Sequence, residues 1–310
     1  MKTKLLPLLI ALLAVAVIAQ PQQSVRPPRP GARRAASLPE GTKAVRDIAY
    51  VTNGHERQKL DLFIPAGATN PLPLIVWIHG GAWKAGSKDQ CPALRYLERG
   101  YAVASINYRL SQDAIFPAQI EDCKAAVRWL RAHAKENHLD PERFAAWGSS
   151  AGGHLVALLG TSGGVKDFET GENLKFSSRV QAVVDFFGPT DFTQMSKYSL
   201  PNAPFDHDAA DSPESQLIGG AIQQNKDKAA KASPLTYVSK DDPPFLIMHG
   251  NRDNLVPHQQ SELLRDALQK ANVPVTLKII EGAGHGFGGR DIDAQVAEFF
   301  ERQLRDKGKN

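Results

Sequence analysis

The sequence predicts an α/β fold, in which helices on both faces cover a mostly parallel central sheet. Short apolar runs alternate along the chain with stretches whose apolar residues recur at helical spacing. Several of these runs have no polar face, which is typical of strands buried between two layers of helices. The chain has 310 residues, of which 42% are hydrophobic, so it is long enough to bury one large core in a single domain.

The predicted strands are short, and helices separate most of them. Strands are expected at residues 60–64, 74–78, 101–106, 144–147, 180–187, 245–248 and 275–280. Helices are expected at residues 117–137, 154–159 and 292–304, and another is expected to begin near residue 256. This alternation is that of repeated βαβ units.

Two longer segments interrupt the alternation. Residues 161–179 are rich in Gly and Lys, and residues 193–243 are rich in Pro, Asp and Ser. Long loops within compact domains are usually functional or mobile. Residues 193–243 are therefore predicted to form a small lid or insertion that shapes a binding site.

The first 39 residues are predicted to lie outside the folded domain, which is expected to span residues 40–310. Residues 1–19 carry two lysines before an apolar run, which is typical of a secretory signal peptide and short for a transmembrane helix. Residues 20–39 are rich in Pro and Arg and predict a disordered lead-in. We expect a secreted or periplasmic protein without membrane contact after signal removal. Retention of the run as an anchor stays open.

The charge distribution argues against a nucleic-acid partner. The net charge is +4, but six basic residues and no acidic residue precede residue 40. The rest of the chain is therefore close to neutral, and its sequence shows no basic patch. The sequence does not indicate an oligomeric state.

The two cysteines, Cys91 and Cys123, leave two interpretations open. They can form one disulfide in an oxidising compartment, or they can be two buried thiols that pack like small apolar residues. A metal site is not predicted, because two thiols without a spaced histidine pair do not complete a zinc shell.

A candidate nucleophile lies in the motif Gly-Ser-Ser-Ala-Gly at residues 148–152. The motif follows a predicted strand and precedes a helical run. A sharp strand-to-helix turn with small neighbours projects the hydroxyl of its central serine, so Ser150 is predicted to be the nucleophile. The alternative is a glycine-rich turn with an idle serine.

A serine hydroxyl needs a positioned base, which a carboxylate must orient. His285 lies between two glycines after the predicted strand 275–280, where an imidazole can reach the carboxyl edge of the sheet. It is the predicted base. The other histidines are interpreted as structural, and His79 is interpreted as holding the glycine loop that follows it.

The predicted acid is Asp253, which follows the buried strand 245–248 and gives the chain order Ser, Asp, His. Asp185, inside a predicted strand, and Asp191, just after it, are the competing candidates. A solvated turn aspartate or a helix cap is the structural alternative for Asp253.

An oxyanion needs preorganised N–H donors, and the small-residue turn His-Gly-Gly-Ala-Trp at residues 79–83 follows a buried strand. The backbone N–H groups of Gly81, Ala82 and Ala151 are the predicted donors. Trp83 is the one tryptophan predicted to contact substrate.

Together these motifs resemble the α/β-hydrolase superfamily over about residues 45–304. Within it the sequence is similar to the carboxylesterases grouped with hormone-sensitive-lipase-like enzymes and with bifunctional feruloyl and acetyl-xylan esterases. The resemblance rests on His-Gly-Gly-Ala-Trp at 79–83, Asn-Tyr-Arg-Leu at 107–110, Phe-Pro at 116–117, Asp122, Gly-Ser-Ser-Ala-Gly at 148–152, the Asp253 loop and Gly-His-Gly at 284–286. Ala82 replaces a glycine of the commoner motif, but its backbone donor remains.

The resemblance implies an α/β-hydrolase fold and ester hydrolysis through an acyl-enzyme, with no metal or organic cofactor. It implies a small-molecule or carbohydrate ester as substrate, such as an acetyl or feruloyl ester of plant polysaccharide. It also implies that Tyr108, Arg109 and Asp122 support the site. A peptidase of the prolyl-oligopeptidase type, a long-chain lipase and an inactive binding module are the alternatives, because the fold alone does not select among them.

Overall fold

A sheet of eight strands runs through the computed structural model, which describes residues 38–305. The strands are β1 Lys43–Ala49, β2 Lys59–Ile64, β3 Leu72–Ile78, β4 Ala102–Ile106, β5 Leu139–Ser149, β6 Ala182–Phe186, β7 Phe245–Gly250 and β8 Val275–Ile280. Their order across the sheet is β1-β2-β4-β3-β5-β6-β7-β8. The first two pairs, β1 with β2 and β2 with β4, are antiparallel, and the other five are parallel. The predicted mostly parallel sheet is confirmed.

Helices cover both faces of this sheet, as predicted. They are α1 Ala118–Ala132, α2 Ala151–Thr161, α3 Met195–Tyr198, α4 Pro213–Ile218, α5 Lys226–Ala232, α6 Gln259–Lys270 and α7 Arg290–Leu304. Side chains of β3 alternate between two cores, since Val76 belongs to the cluster with α1 and α2, whereas Ile75 belongs to the cluster with α7. A strand buried on both faces needs apolar residues at every position, which explains the unbroken apolar runs.

The predicted signal peptide and almost all of the predicted lead-in lie outside the described residues. Leu38, near the end of the predicted lead-in, already packs against the core. Among the described residues, no helix combines the length and the apolar composition that a membrane crossing requires.

The segment 193–243 contains α3, α4 and α5 and contacts loops at the carboxyl edge of the sheet. The backbone N–H of Phe116, after β4, donates to Leu217 O at 2.8 Å. The side-chain amide of Asn254, after β7, donates to Asn202 O at 3.3 Å. The segment is therefore well placed for the lid role, which stays a prediction.

The segment 162–179 is attached to α1 by what we call the cation clamp, formed by Lys124, Arg128 and Glu169. Both cationic side chains are fully buried, and the Glu169 side chain is one quarter exposed. Lys124 Nζ lies 2.9 Å from Glu169 Oε1 and also donates to Ser162 O at 2.8 Å. Arg128 donates to Glu169 Oε2. One carboxylate thus faces two buried cations, and burial lowers the pKa of Lys124 despite that contact.

Cys91 and Cys123 are both free thiols. Cys123 is buried in the core beneath α1 and α2, whereas the half-buried Cys91 packs with the core on the α7 face. Because the sheet separates these two cores, the structure favours the interpretation as packing residues over a disulfide.

Candidate active site

The sharp turn between β5 and α2 presents Ser150. Its backbone has φ of 56° and ψ of −123°, a conformation that residues other than glycine rarely adopt. A Cβ atom on Gly152 would lie 2.1 Å from Ile78 O, and one on Gly148 would lie 2.2 Å from Gly152 O. Neither outer glycine of the motif has room for a side chain. Because both residues lack one, β3, β5 and α2 can pack closely beneath Ser150.

Three side chains from the ends of three strands converge at this turn. His285, in the loop after β8, places Nε2 3.0 Å from Ser150 Oγ. Its Nδ1 lies 2.7 Å from Oδ2 of Asp253, which follows β7. The structure thus brings together the predicted nucleophile, base and acid in hydrogen-bonding order. Their catalytic roles stay predictions, and this geometry is the one such roles require.

The hydrogen bonds at Asp253 determine which nitrogen of His285 carries the proton. A carboxylate accepts, so His285 Nδ1 donates to Asp253, and Nε2 is left as the acceptor that faces the Ser150 hydroxyl. Burial raises the pKa of Asp253, but hydrogen bonds from His249 and His285 outweigh it and hold this pKa well below its usual value. Asp253 is therefore ionised at neutral pH.

His249 is a functional neighbour that the sequence reasoning missed. It is fully buried at the end of β7, and its Nε2 lies 3.2 Å from Asp253 Oδ2 and 2.9 Å from Val256 O. Both partners accept, so this nitrogen donates and fixes the orientation of the acid. A histidine at a strand end, four residues before a candidate acid, was the available signal.

The loop after β3 approaches the nucleophile from the other side. A Cβ atom on Gly80 would lie 3.3 Å from the Cβ of Ser150, so the two backbones are in close contact. Gly81, Ala82 and Trp83 have φ of 106°, 53° and 56°, three consecutive positive values. Among residues 38–305, the N–H groups of Gly81, Ala82 and Ala151 donate no hydrogen bond to a backbone acceptor. These three predicted donors are thus available to an oxyanion beside Ser150.

Comparison with known proteins assigns the chain to a family. Residues 60–268 match the model of the family described as BD-FAE. The chain belongs to the BD-FAE family. The predicted resemblance to carboxylesterases of the α/β-hydrolase superfamily is confirmed.

This BD-FAE chain is similar to proteins named as esterases. It is 34% identical over 256 residues to a probable carboxylic ester hydrolase of Mycobacterium tuberculosis, LipM, with 78% of this chain and 56% of the relative aligned. It spans just over half the length of the curated relatives it matches first.

Two solved structures extend the comparison. A truncated carbohydrate esterase from gut microbiota is 36% identical, with a TM-score of 0.78 over 84% of this chain and 96% of that one. A thermophilic esterase from Thermogutta terrifontis, solved with butyrate bound, is 29% identical, with a TM-score of 0.63 over 85% and 92%.

The position of Trp83 in the BD-FAE structure corrects one prediction. Its side chain is only 2% exposed, and its Nε1 donates to His154 Nδ1 at 3.2 Å. His154 Nε2 in turn lies 2.7 Å from Ala232 O. Trp83 therefore packs against His154 on α2 and against Phe192, and it has almost no surface to offer a substrate. Sequence position alone could not distinguish a site wall from this buried support.

Tyr108, Arg109 and Asp122, which the resemblance implies as supports, contact the loop after β3 or one another. Tyr108 Oη donates to His79 O at 3.0 Å, and the two rings stack with centroids 4.5 Å apart. Asp122 is buried and accepts from the Arg109 backbone and guanidinium and from Gln58 Nε2. Within residues 38–305 of this BD-FAE chain, no cluster of three or more His, Cys, Asp or Glu side chains is arranged to hold a metal ion.

Neither of the two competing acids, Asp185 and Asp191, forms a hydrogen bond with His285 in the described structure. Asp191 accepts from Thr193 N and Gln194 Nε2 and caps the turn that follows it. Asp185 lies inside β6, fully buried, with Oδ1 accepting from Gly188 N at 3.0 Å and Oδ2 without a hydrogen-bond partner in the described structure. Burial raises the pKa of Asp185 to about 7, despite the hydrogen bond from Gly188.

Asp185 should make the stability of this BD-FAE protein depend on pH. Its pKa is about 7 in the folded chain, so the folded chain holds a proton that the unfolded chain has already released above about pH 4. The contribution of Asp185 to the free energy of unfolding is therefore fully present below about pH 4 and is lost as the pH rises through about 7. Asp185→Asn keeps the acceptor for Gly188 and is expected to raise the free energy of unfolding at pH 8 by about 2–4 kcal/mol. Urea unfolding at pH 5 and pH 8 measures this, and an equal effect at both pH values would contradict it.

Proposed function

We propose that this BD-FAE protein is a serine carboxylesterase that hydrolyses short-chain carboxylic esters through an acyl-enzyme. The observation that carries the proposal is the hydrogen-bond chain from Ser150 through His285 to Asp253, beside free N–H donors of the loop after β3. The chain's similarity to a named carboxylic ester hydrolase and to solved esterases supports the same reaction class.

The proposed reaction proceeds by acyl transfer in two halves. Ser150 Oγ attacks the ester carbonyl carbon while its proton passes to His285 Nε2, and the carbonyl oxygen becomes an oxyanion that the N–H groups of Gly81, Ala82 and Ala151 stabilise. His285 then gives the proton to the leaving alkoxide, and the C–O bond to the alcohol breaks. In the second half, water attacks the acyl-enzyme with His285 as base, and the carboxylic acid and free Ser150 are released. Asp253 stabilises the protonated His285 in both halves.

For the substrate, we propose an acetyl or feruloyl ester of plant polysaccharide, met outside the cytoplasm. The relatives support this choice, since one is a carbohydrate esterase and another was solved with butyrate bound. The Phe187 ring, which is 7% exposed, lies 4.6 Å from the His285 ring, and the half-buried Phe287 ring lies 5.3 Å from Phe187. The exposed part of Phe287 suits contact with a planar apolar group such as a feruloyl ring. The predicted signal peptide supports export.

A substrate panel tests the proposal. The protein, without residues 1–19, is assayed against p-nitrophenyl acetate, butyrate and palmitate and against acetylated and feruloylated xylan fragments. We expect kcat/KM for the p-nitrophenyl esters to fall by about tenfold or more from acetate to palmitate, because the proposed enzyme acts on short acyl groups and a long acyl chain must find additional room near Ser150. Cleavage of the xylan esters supports the carbohydrate ester. A preference for palmitate would indicate a lipase, and inactivity on every ester would remove the esterase proposal. Ser150→Ala serves as the blank.

A further inference from the structure

Five of the seven carbonyl groups in residues 80–86 accept hydrogen bonds. Gly81 O accepts within the loop, from the N–H groups of Lys84 and Ala85. Trp83 O accepts from Ser111 N at 2.8 Å, and Lys84 O accepts from Gln112 Nε2 at 3.1 Å. The last two of the five, Gly80 O and Gly86 O, accept from the side chains of His79 and Arg57. Each bonded carbonyl fixes the peptide plane next to it, and with it the direction of the neighbouring N–H groups.

This fixing matters because the loop backbone is strained. Ala82 and Trp83 have side chains, yet both adopt positive φ values of 53° and 56°. Each such residue costs about 1–3 kcal/mol and persists only where the surroundings impose the conformation. The groups that hold the loop therefore also hold its backbone N–H groups in place.

One side chain holds both ends of the loop. The Arg57 guanidinium, from the turn between β1 and β2, donates through Nη2 to Gly86 O at 3.1 Å and lies 3.2 Å from His79 Nε2. Its Nε donates to Tyr108 O at 2.8 Å, and this anchors it to the chain after β4. No motif or pattern in the sequence singles out this arginine, since it lies in a polar turn of the chain.

Arg57 also selects the protonation state of His79. An arginine only donates, so His79 Nε2 must accept, and Nδ1 then carries the proton that it donates to Gly80 O at 2.7 Å. Burial lowers the pKa of His79 to about 4, and the nearby positive charge of Arg57 acts in the same direction. His79 is therefore neutral at working pH, with its donor directed at the loop and its acceptor at Arg57.

We propose that Arg57 is a positioning residue for oxyanion stabilisation, which acts through His79 and Gly86 on the N–H groups of Gly81 and Ala82. It forms no hydrogen bond with Ser150 in the described structure. The proposal rests on the proposed hydrolase function, because it concerns the same oxyanion. Lysine is no substitute, because one ammonium cannot reach Tyr108 O, Gly86 O and His79 Nε2 in the planar arrangement of a guanidinium.

The test compares Arg57→Ala with a matched control, Arg143→Ala. Arg143 also donates to a backbone carbonyl, Pro71 O, but it lies at the opposite edge of the sheet, where β3 begins. The first readout is the rate at which a fluorophosphonate labels Ser150, because its phosphoryl oxygen takes the place of the oxyanion. We expect this rate and kcat for p-nitrophenyl acetate to fall about 10- to 100-fold in Arg57→Ala, with KM changed by less than about threefold.

Two further readouts separate positioning from general damage. Millimolar ethylguanidinium should restore part of the labelling rate in Arg57→Ala and should leave Arg143→Ala unchanged. Arg57→Lys should remain closer to Arg57→Ala than to the unmodified protein. Labelling and kcat within about threefold of the unmodified protein would overturn the proposal, and so would an equal loss in Arg143→Ala. A protein that is labelled but cleaves no ester would remove the esterase proposal, while the labelling ratio would still decide the role of Arg57. An unlabelled Ser150 would overturn both.

Discussion

Replacing Ser150 with Ala is expected to lower kcat for p-nitrophenyl acetate about a millionfold, because the variant has no group that can form the acyl-enzyme. The fold should be unaffected, since an Ala side chain fits wherever the Ser Cβ fits. Initial rates, after subtraction of spontaneous hydrolysis, measure the loss. Ser239→Ala, at an exposed serine that bonds only Asp242, is the matched control. Activity above about 1% in Ser150→Ala would show that another group is the nucleophile.

Asp253→Asn should give a smaller loss of about 10⁴-fold in kcat, through the tautomer of His285. The amide of Asn can donate to His285 Nδ1, and the proton of the imidazole then sits on Nε2, where it faces the Ser150 hydroxyl and cannot accept from it. A loss of less than about tenfold would mean that Asp253 does not orient the base. The difference between the Ser150 and Asp253 variants separates loss of the nucleophile from loss of its activation.

Glu169→Gln is expected to lower the free energy of unfolding by about 3–5 kcal/mol, because the cation clamp loses its one carboxylate. Lys124 and Arg128 remain fully buried, and both can only donate. The amide of the new side chain would present its NH₂ group to one of them, so a charge pair would become a contact between two donors. Urea unfolding followed by tryptophan fluorescence measures the change.

The matched control for this prediction is Glu172→Gln in the same segment. Glu172 is exposed, and its two carboxylate oxygens accept from the backbone N–H and from the hydroxyl of Thr52. In Gln the amide oxygen can still accept from the backbone N–H, and the NH₂ group can donate to the hydroxyl oxygen. This variant should stay within about 0.5 kcal/mol of the unmodified protein. If Glu169→Gln also stayed within about 1 kcal/mol, the buried cations would be satisfied by their carbonyl partners alone.

The buried strands and the motif turns could be predicted because they are written in local sequence. β3 and β7 are buried on both faces and therefore carry unbroken apolar runs, at residues 74–78 and 245–248. Ser150 could be located because a turn of this sharpness tolerates only glycine at residues 148 and 152. β1 was missed for the opposite reason: most of its residues are exposed, and a register shift between Val45 and Ile48 breaks its alternation.

The supports of the site could not be predicted, because they depend on long-range contacts. Arg57 meets His79 across 22 residues of sequence, and no local pattern reports the contact. Lys124 and Arg128 lie one helical turn apart on α1, a spacing that sequence reasoning assigns to a solvated face. Their partner, Glu169, lies in a segment without regular strands. Trp83 shows the same limit from the other side, since a residue next to a site motif was buried instead of facing the substrate.

The strand order determines when the contacts of His285 can form in a newly synthesised chain. Ser150 and His285 are 135 residues apart, and His285 follows β8, which among the strands of residues 38–305 comes last along the chain and lies at one edge of the sheet. A contact between residues so far apart in sequence forms late in folding, after the chain between them has closed into a loop. The contacts of His285 with Ser150 and Asp253 therefore require the chain through β8 to be made and paired with β7. A nascent chain that stops before β8 would lack these contacts and would expose the β7 edge, which favours aggregation.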